Sequence, residues 1–466
     1  KKKQEAQLLS QEGTALFRKN MFKEAREKYD QAVQLDPSNQ QFYVQYGVTL
    51  YRLDEFNRSL VILKLATDPA LNKLERDFYL GLNYFKTKEN AAALKSFDNV
   101  TNTKDKTLAP SAEFYKGVIH YESGAWDAAR TSFQNVLDTS SDPKLDESAE
   151  AYIEYVLRAQ QYEADSKKKW FLTATIGEQF DSNVLLVSDS STSGTATNTK
   201  GYRTILSGSV KYRSIFEEKR EFAAQLDLTT MYTVDSSFQG DQSLRNADPN
   251  VVALSLPYTI KGTAFGRAVK FDITPGYETI YMSIENNENK EILASLLTSG
   301  TALLVMSDTW FSTYALDIRQ ENSKLNSSTG DDNSSSIKVK GSTNQLFMVG
   351  EDKKKFFIPE GAYALNESIG KNSVYSRLDI GASYVMPWKW ETSASFKLAY
   401  YNLNYPQNST GRADNNVTFS TGLSRKLNDT WSTGLLASYE SNQSNQSTNS
   451  YSKYTALLSF SAAVGF

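Results

Sequence analysis

From Trp170 onward the chain repeats one pattern, and that pattern leaves few folds open. EFAAQLDLTTMYTV places Phe222, Ala224, Leu226, Leu228, Tyr232 and Val234 on one side, with Glu221, Gln225, Asp227 and Thr229 on the other. VYSRLDIGASYVMPW does the same with Leu378, Ile380, Ala382, Tyr384, Met386 and Trp388 against Arg377, Asp379 and Ser383. A period of two makes these segments strands with one apolar face. Charges flanked by apolar residues indicate a wet interior. Candidate strands fall near 170–180, 201–216, 221–234, 251–260, 269–284, 292–306, 309–321, 336–349, 356–370, 374–388, 390–405, 416–428, 430–442 and 451–466. The connections alternate in kind. EEKR, KGTAFGRA, SDT, EDKKK, PWK and LNDT are short. Most of the others are long and polar, among them VSDSSTSGTATNTK, SSFQGDQSLRNADPN, SKLNSSTGDDNSSS, PQNSTGRADNN and SNQSNQSTNS. About fourteen antiparallel strands with unequal connections on their two sides describe a closed barrel.

The final strand sharpens the reading. Phe466, Val464, Ala462, Phe460, Leu458, Ala456 and Tyr454 are apolar, while Gly465, Ala463, Ser461, Ser459, Leu457, Thr455 and Lys453 between them are small or polar, with Leu457 the one exception. An apolar last strand ending on an aromatic resembles the outer-membrane barrels, whose terminal strand is the signal read by the insertion machinery. Tyr454, Leu458, Phe460, Val464 and Phe466 would carry that signal. Aromatics near strand ends, including Trp170, Tyr202, Trp310, Trp388, Trp390, Trp431 and Tyr454, fit interfacial girdles. Pro257, Pro275 and Pro359 are expected near strand ends, at a bulge or beside a weakly paired seam. The small inward residues of the last strand make a laterally opening seam between first and last strands a second expectation. The competing reading is a soluble β protein.

The first third is helical and repetitive. Gly13, Gly47, Gly81 and Gly117 lie 34, 34 and 36 residues apart. The first copy has Leu9, Gly13, Leu16, Ala25, Tyr29, Ala32 and Pro37. Ala93 and Ala129 match Ala25; Leu63, Phe97 and Phe133 match Tyr29; Ala66, Val100 and Val136 match Ala32. The second copy departs with Ser59 at the small position and no proline in register. This is the pattern of the tetratricopeptide (TPR) repeat, in three or four units. A further helix, roughly Asp146 to Lys168, has Tyr152, Tyr155, Val156, Ala159 and Tyr162 on one face and would cap the open end of the stack. The expected domains are TPR repeats over 1–145, a capping helix over 146–169 and a transmembrane barrel over 170–466.

Stacked repeats present a groove. Phe17, Tyr51, Phe85 and Tyr121 occupy one equivalent position, and Arg18, Arg52, Lys86 and Glu122 the next. An aromatic ladder beside a mostly basic one reads as a groove for a protein client, a peptide or an anionic segment. Equally, the aromatics pack between repeats and the charges form a solvated edge.

Chemistry is hard to find. With no cysteine and a single histidine, His120, thiolate metal sites, triads and haem ligation are all but excluded, and no cofactor is expected. His120 reads as a partly buried packing residue. A net charge of −3 gives no reason to expect nucleic acid. No run of about eighteen apolar residues offers a transmembrane helix. KKKQEAQLL lacks the apolar core of a signal peptide, so export would need a signal ahead of Lys1. The lumen candidates carry both signs: Arg203, Lys211, Arg213, Asp227, Asp272, Glu278, Asp317, Arg319, Arg377, Asp379, Glu391 and Lys397. Such mixtures brace a barrel wall by inward ion pairs. Asp181 in FDSNV reads as a turn residue, with cation binding as the weaker alternative.

A short TPR domain followed by a barrel with an aromatic end resembles the surface lipoprotein assembly modulators, the Slam proteins. FDSNV is also similar to an aromatic–Asp–Ser–Asn stretch in the first strand of TPR-linked barrels. The resemblance implies a non-enzymatic factor in the bacterial outer membrane, with the TPR domain in the periplasm and the long loops outside. It implies a client received in the groove and moved to the cell surface. TPR-barrel exporters of exopolysaccharide are the second reading, although they carry longer solenoids and sixteen-stranded barrels. A structural subunit anchoring a larger envelope complex is the third.

Overall fold

The computed structural model describes the whole chain except residues 69–70, 72, 187–199, 236–241, 246–247, 286–287 and 326–329. It forms two compact units, Lys1–Asp165 and Ser166–Phe466.

The first unit is a stack of helix pairs: α1 (Lys2–Arg18) with α2 (Phe22–Leu35), α3 (Gln40–Arg52) with α4 (Phe56–Leu65), α5 (Leu74–Lys86) with α6 (Asn90–Thr101), and α7 (Leu108–Glu122) with α8 (Trp126–Thr139). The turn inside each pair needs one left-handed residue. Asn20, Asp54, Lys88 and Gly124 supply it with φ of 60°, 59°, 64° and 74°. Only the last is the residue type that adopts this conformation freely.

The repeat glycines have a specific purpose. A Cβ on Gly81 would lie 2.5 Å from the Phe97 ring, and one on Gly117 would lie 2.6 Å from Phe133. Gly47 stands in the same relation to Leu63, and Gly13 to Tyr29. Each glycine therefore makes room for a large side chain sixteen residues later on its own partner helix. Ser59, out of pattern by sequence, is fully buried. Its hydroxyl donates to the Gly47 carbonyl at 2.7 Å and accepts from Asn83 Nδ2 at 2.9 Å, which ties the second repeat to the third. The closing helix α9 (Pro143–Lys167) buries Ala149 and Val156 against Val118, Phe133 and Val136. Tyr155 and Tyr162, expected on that face, are largely exposed.

The second unit is a closed antiparallel barrel. Its strands are β1 (Trp170–Asp181), β2 (Gly201–Phe216), β3 (Arg220–Asp235), β4 (Asn250–Ser255), β5 (Tyr258–Ala264), β6 (Arg267–Glu285), β7 (Glu288–Ser307), β8 (Trp310–Ser323), β9 (Ser336–Val349), β10 (Lys355–Ser368), β11 (Tyr375–Pro387), β12 (Thr392–Asn404), β13 (Ala413–Lys426), β14 (Trp431–Ser444) and β15 (Tyr451–Gly465). Both β4 and β5 pair with β3 on one side and β6 on the other, so together they form one stave and the barrel has fourteen. The stave expected over 251–260 is broken because Pro257 has no N–H to give the ladder. Register survives the break, since Leu256 N donates to the Pro275 carbonyl at 2.9 Å and Ala223 N to the Pro257 carbonyl at 3.0 Å.

Pro275 instead lies within β6, opposite Thr298. Pro359 lies within β10, paired with Ala382 of β11, and the ladder to β9 skips it. KGTAFGRA is mostly strand. Its turn is Phe265–Gly266 alone, both with positive φ, a two-residue hairpin of the twist-matched kind. Trp390 and Glu391 are likewise turn residues, with φ of 58° and 56°, so Glu391 does not belong to the lumen set.

The closing pair, β15 on β1, runs unbroken from Phe171 opposite Gly465 to Asp181 opposite Thr455. Phe466 extends it by exchanging backbone hydrogen bonds with Trp170, each 2.9 Å. The small residues of β15 leave space for neighbours on this well-paired seam: the Phe171 ring lies 3.0 Å from where a Cβ on Gly465 would stand. The ladder is interrupted at the proline break between β4 and β5, away from the β1–β15 seam.

Candidate functional sites in the repeats and the barrel interior

The aromatic ladder of the repeats is built into their packing. Phe17 meets Phe22 edge-on at 5.1 Å. Tyr51 meets Phe56 at 5.6 Å and Tyr79 of the next repeat at 5.3 Å. Phe85 meets Tyr115 at 5.5 Å. Tyr121 meets Trp126 and, on the closing helix, Tyr152, both at 5.7 Å. The contacts to Phe22, Phe56 and Trp126 lie within a helix pair, and those to Tyr79, Tyr115 and Tyr152 run on to the next element of the stack.

The basic ladder is different. Arg18, Arg52 and Lys86 are exposed, and each is the last residue of its helix. There a cation complements the negative end of the helix dipole, worth about 0.3–1 kcal/mol. Position alone thus explains part of the pattern. Arg52 also lies over the Phe22 ring at 5.2 Å. Glu122 ends α7 with the opposite sign and accepts Lys88 at 3.5 Å.

His120 is half-buried on α7, and burial together with the Lys116 ammonium holds its imidazole below its ordinary value. Burial pushes the Tyr51 hydroxyl up to about 12, with Tyr115 and Tyr79 adding to the effect. Burial also raises Tyr29, Tyr46, Tyr79, Tyr115 and Tyr152. The neutral phenol is therefore favoured in the fold, and an unfolded chain ionises first, near the ordinary value of 10.0. Stability from these tyrosines is complete below about pH 10 and falls as pH rises above it, for Tyr51 up to about 12. Helical ellipticity is expected to hold to about pH 10 and then fall, with Tyr51→Phe moving the onset upward. An onset unchanged by Tyr51→Phe would mean that this hydroxyl does not contribute.

Inside the barrel, charges meet both along one strand and across neighbouring strands. Arg319 pairs with Glu278 at 2.6 Å, and Arg377 with Asp379 at 2.7 Å. Lys397 pairs with Glu360 at 2.5 Å and Lys211 with Glu221 at 2.9 Å. Arg203 reaches Asp248, from the connection after β3, at 3.7 Å. Asp227 accepts from Gln225 Nε2 at 2.9 Å. Asp317 lies opposite Lys340 in register. The guanidinium of Arg377 also stacks on Tyr401 at 3.9 Å.

Glu360, Lys338, Lys340, Glu321 and Glu440 were not singled out by sequence. The available signal was parity, since Lys338 and Lys340 alternate with outward Ile337 and Val339. Asp181, read as a turn residue from sequence, is the buried last residue of β1; its carboxylate accepts from Asn183 N at 2.9 Å and lies 3.8 Å from Lys453 Nζ.

Tyr454, Leu458, Phe460 and Val464 point outward from β15, each more than a third exposed, as is Phe466. Leu172, Ile176, Leu206, Leu228 and Ile273 continue the apolar outer wall. Among the described residues no helix is long and apolar enough to cross a membrane.

The tetratricopeptide repeat family matches residues 6–39, the first repeat. Among curated proteins none matches the chain. A crystal structure of MamA protein is similar at 17% identity, covering 35% of this chain and 95% of its own, with a TM-score of 0.27. YrrB, described as a TPR protein with an unusual peptide-binding site, is similar at 19% identity over 33% and 76%, with a TM-score of 0.29. A tetratricopeptide repeat protein from Parabacteroides merdae is similar at 15% identity over 34% and 62%, with a TM-score of 0.30.

Proposed function

We propose that this chain is a non-enzymatic translocation or assembly factor of the bacterial outer membrane, acting in the manner of the surface lipoprotein assembly modulators. The observation that carries the reading is the union, in one chain, of protein-binding repeats with a closed barrel whose outer wall is apolar. Repeat units are interaction modules, and an exposed apolar wall of this extent needs lipid to cover it. The chain enters β1 at the same rim as the short turns, so the periplasm would lie on that side and the long connections outside. The repeats would receive a client, with Arg18, Arg52 and Lys86 as the exposed cations that meet it. The barrel would give the client its way to the surface.

The test is in-cell crosslinking from a photoreactive residue at Arg18 or Lys86, both exposed at helix ends. Tyr51 is unsuitable, because its ring is held between repeats. Capture of lipid-anchored proteins is the expected result. Capture of polysaccharide-synthesis proteins or of envelope scaffold proteins, with no lipoprotein, would overturn it in favour of an exporter or an anchoring subunit.

A further inference from the structure

The charges of the barrel interior are nearly all committed to one another. Lys340 and Asp317, which line one cavity together, are the departures. Lys340 faces inward from β9, between the outward Val339 and Gly341, and it is exposed. Among the described residues it makes neither an ion pair nor a hydrogen bond. Its neighbours are committed: Lys338 to Glu321 at 2.8 Å, Arg319 to Glu278, Arg377 to Asp379 and Lys397 to Glu360. Asp317 stands across from it in register, yet the two form no ion pair.

Lys340 also stands where space opens. Two cavities of about 490 and 520 Å³ lie against this part of the wall, and both are lined by Lys340, Arg377 and Asp379. Each is within the size range of small-molecule sites and far larger than a bare anion needs. Ser342 and Asn344 add neutral hydroxyl and amide groups to the first cavity. The Asp379 and Glu360 carboxylates keep oxygen lone pairs beyond those used by Arg377 and Lys397. An uncommitted ammonium beside a polar wall of acceptors and amides suits a ligand with one negative group and several hydroxyls.

We propose that the barrel interior binds a small polyhydroxylated carboxylate, a sugar acid, with Lys340 taking the carboxylate and the Asp379, Glu360 and Asn344 side chains taking hydroxyls. This site is independent of the client reading, and crosslinking at Arg18 leaves it untouched whichever result that gives.

The test is competitive amine labelling of the full-length, detergent-solubilised chain, read by mass spectrometry. Lys340 is expected to acylate faster than Lys338 and Lys397, whose ammonium groups are held in ion pairs. Saturating glucuronate is expected to slow labelling of Lys340 about tenfold while sparing the exposed Lys86. Glucose and acetate, each offering half of the chemistry, are expected to protect weakly. Lys340→Gln breaks no contact in the fold, and it is expected to weaken glucuronate binding about tenfold in ligand-observed NMR. Lys340 labelling at the rate of its paired neighbours, protection by glucose or acetate equal to that by glucuronate, or undiminished glucuronate binding by Lys340→Gln would each overturn the proposal.

Discussion

Replacing Arg18, Arg52 and Lys86 together with glutamine is expected to weaken client capture about a hundredfold. Each exposed cation contributes roughly 0.5–1 kcal/mol to an ionic contact, and three of them in a row reach about 1.5–3 kcal/mol, whose upper end is the hundredfold. The obstacle is that the same residues end α1, α3 and α5, where they also serve the helix dipoles. Glutamine is therefore the right replacement, because glutamate would add repulsion at the negative helix ends. The two contributions separate experimentally. Loss of dipole pairing lowers the thermal midpoint of the repeats by a few degrees at most. Loss of a recognition surface lowers capture in fully folded protein. Client capture that survives in the folded triple variant would show that the ladder is helix capping alone and would remove it from the functional account.

What sequence could reveal here divides by periodicity. Strand parity is local. It follows from the alternation of residues such as Leu226, Asp227 and Leu228, so the strands over 201–216 and 336–349 match the structure residue for residue. Repeat spacing is equally local, and the glycines at Gly13, Gly47, Gly81 and Gly117 mark the helix pairs directly. Partner identity is not local. Whether Lys397 meets Glu360 depends on the relative register of β10, β11 and β12, which no single segment encodes, whereas Arg377 and Asp379 stand two apart on β11 and meet locally. For the same reason Lys340 does not stand out by sequence. Its distinction is the absence of a partner, which appears only once its neighbours' partners are known.

The aromatic ladder was ambiguous for another reason. Phe17, Tyr51, Phe85 and Tyr121 stand at a position that touches both the partner helix and the next repeat. Sequence supplies the position but not the second contact. Tyr79, Tyr115 and Tyr152 complete those contacts 28 to 31 residues later. The prolines show the same limit. Pro257 breaks its stave, whereas Pro275 and Pro359 are absorbed in theirs.

Gly81→Ala is expected to destabilise the repeat unit by about 1–3 kcal/mol, lowering its thermal midpoint by roughly 2–4 °C for each kcal/mol. On helix propensity alone the change should help by about 1 kcal/mol, so the sign depends on the space available. The new Cβ would lie 2.5, 2.7 and 2.9 Å from three atoms of the Phe97 ring. That ring cannot swing aside. It is fully buried, stacked on Tyr115 at 5.7 Å and edge-on to Phe78 at 6.1 Å. Gly13→Ala provides the contrast. Its Cβ would stand 3.0 Å from the Tyr29 ring, a distance that a shift of a few tenths of an ångström relieves, so propensity and crowding are expected to cancel. Repeats couple mainly to their neighbours, so the damage from Gly81→Ala should be confined. Amide exchange is expected to rise in α5 and α6 and to stay unchanged in α1 and α2. Equal loss of stability at Gly13 and Gly81 would show that the glycines are retained for the helix backbone and not for the side chain each one faces.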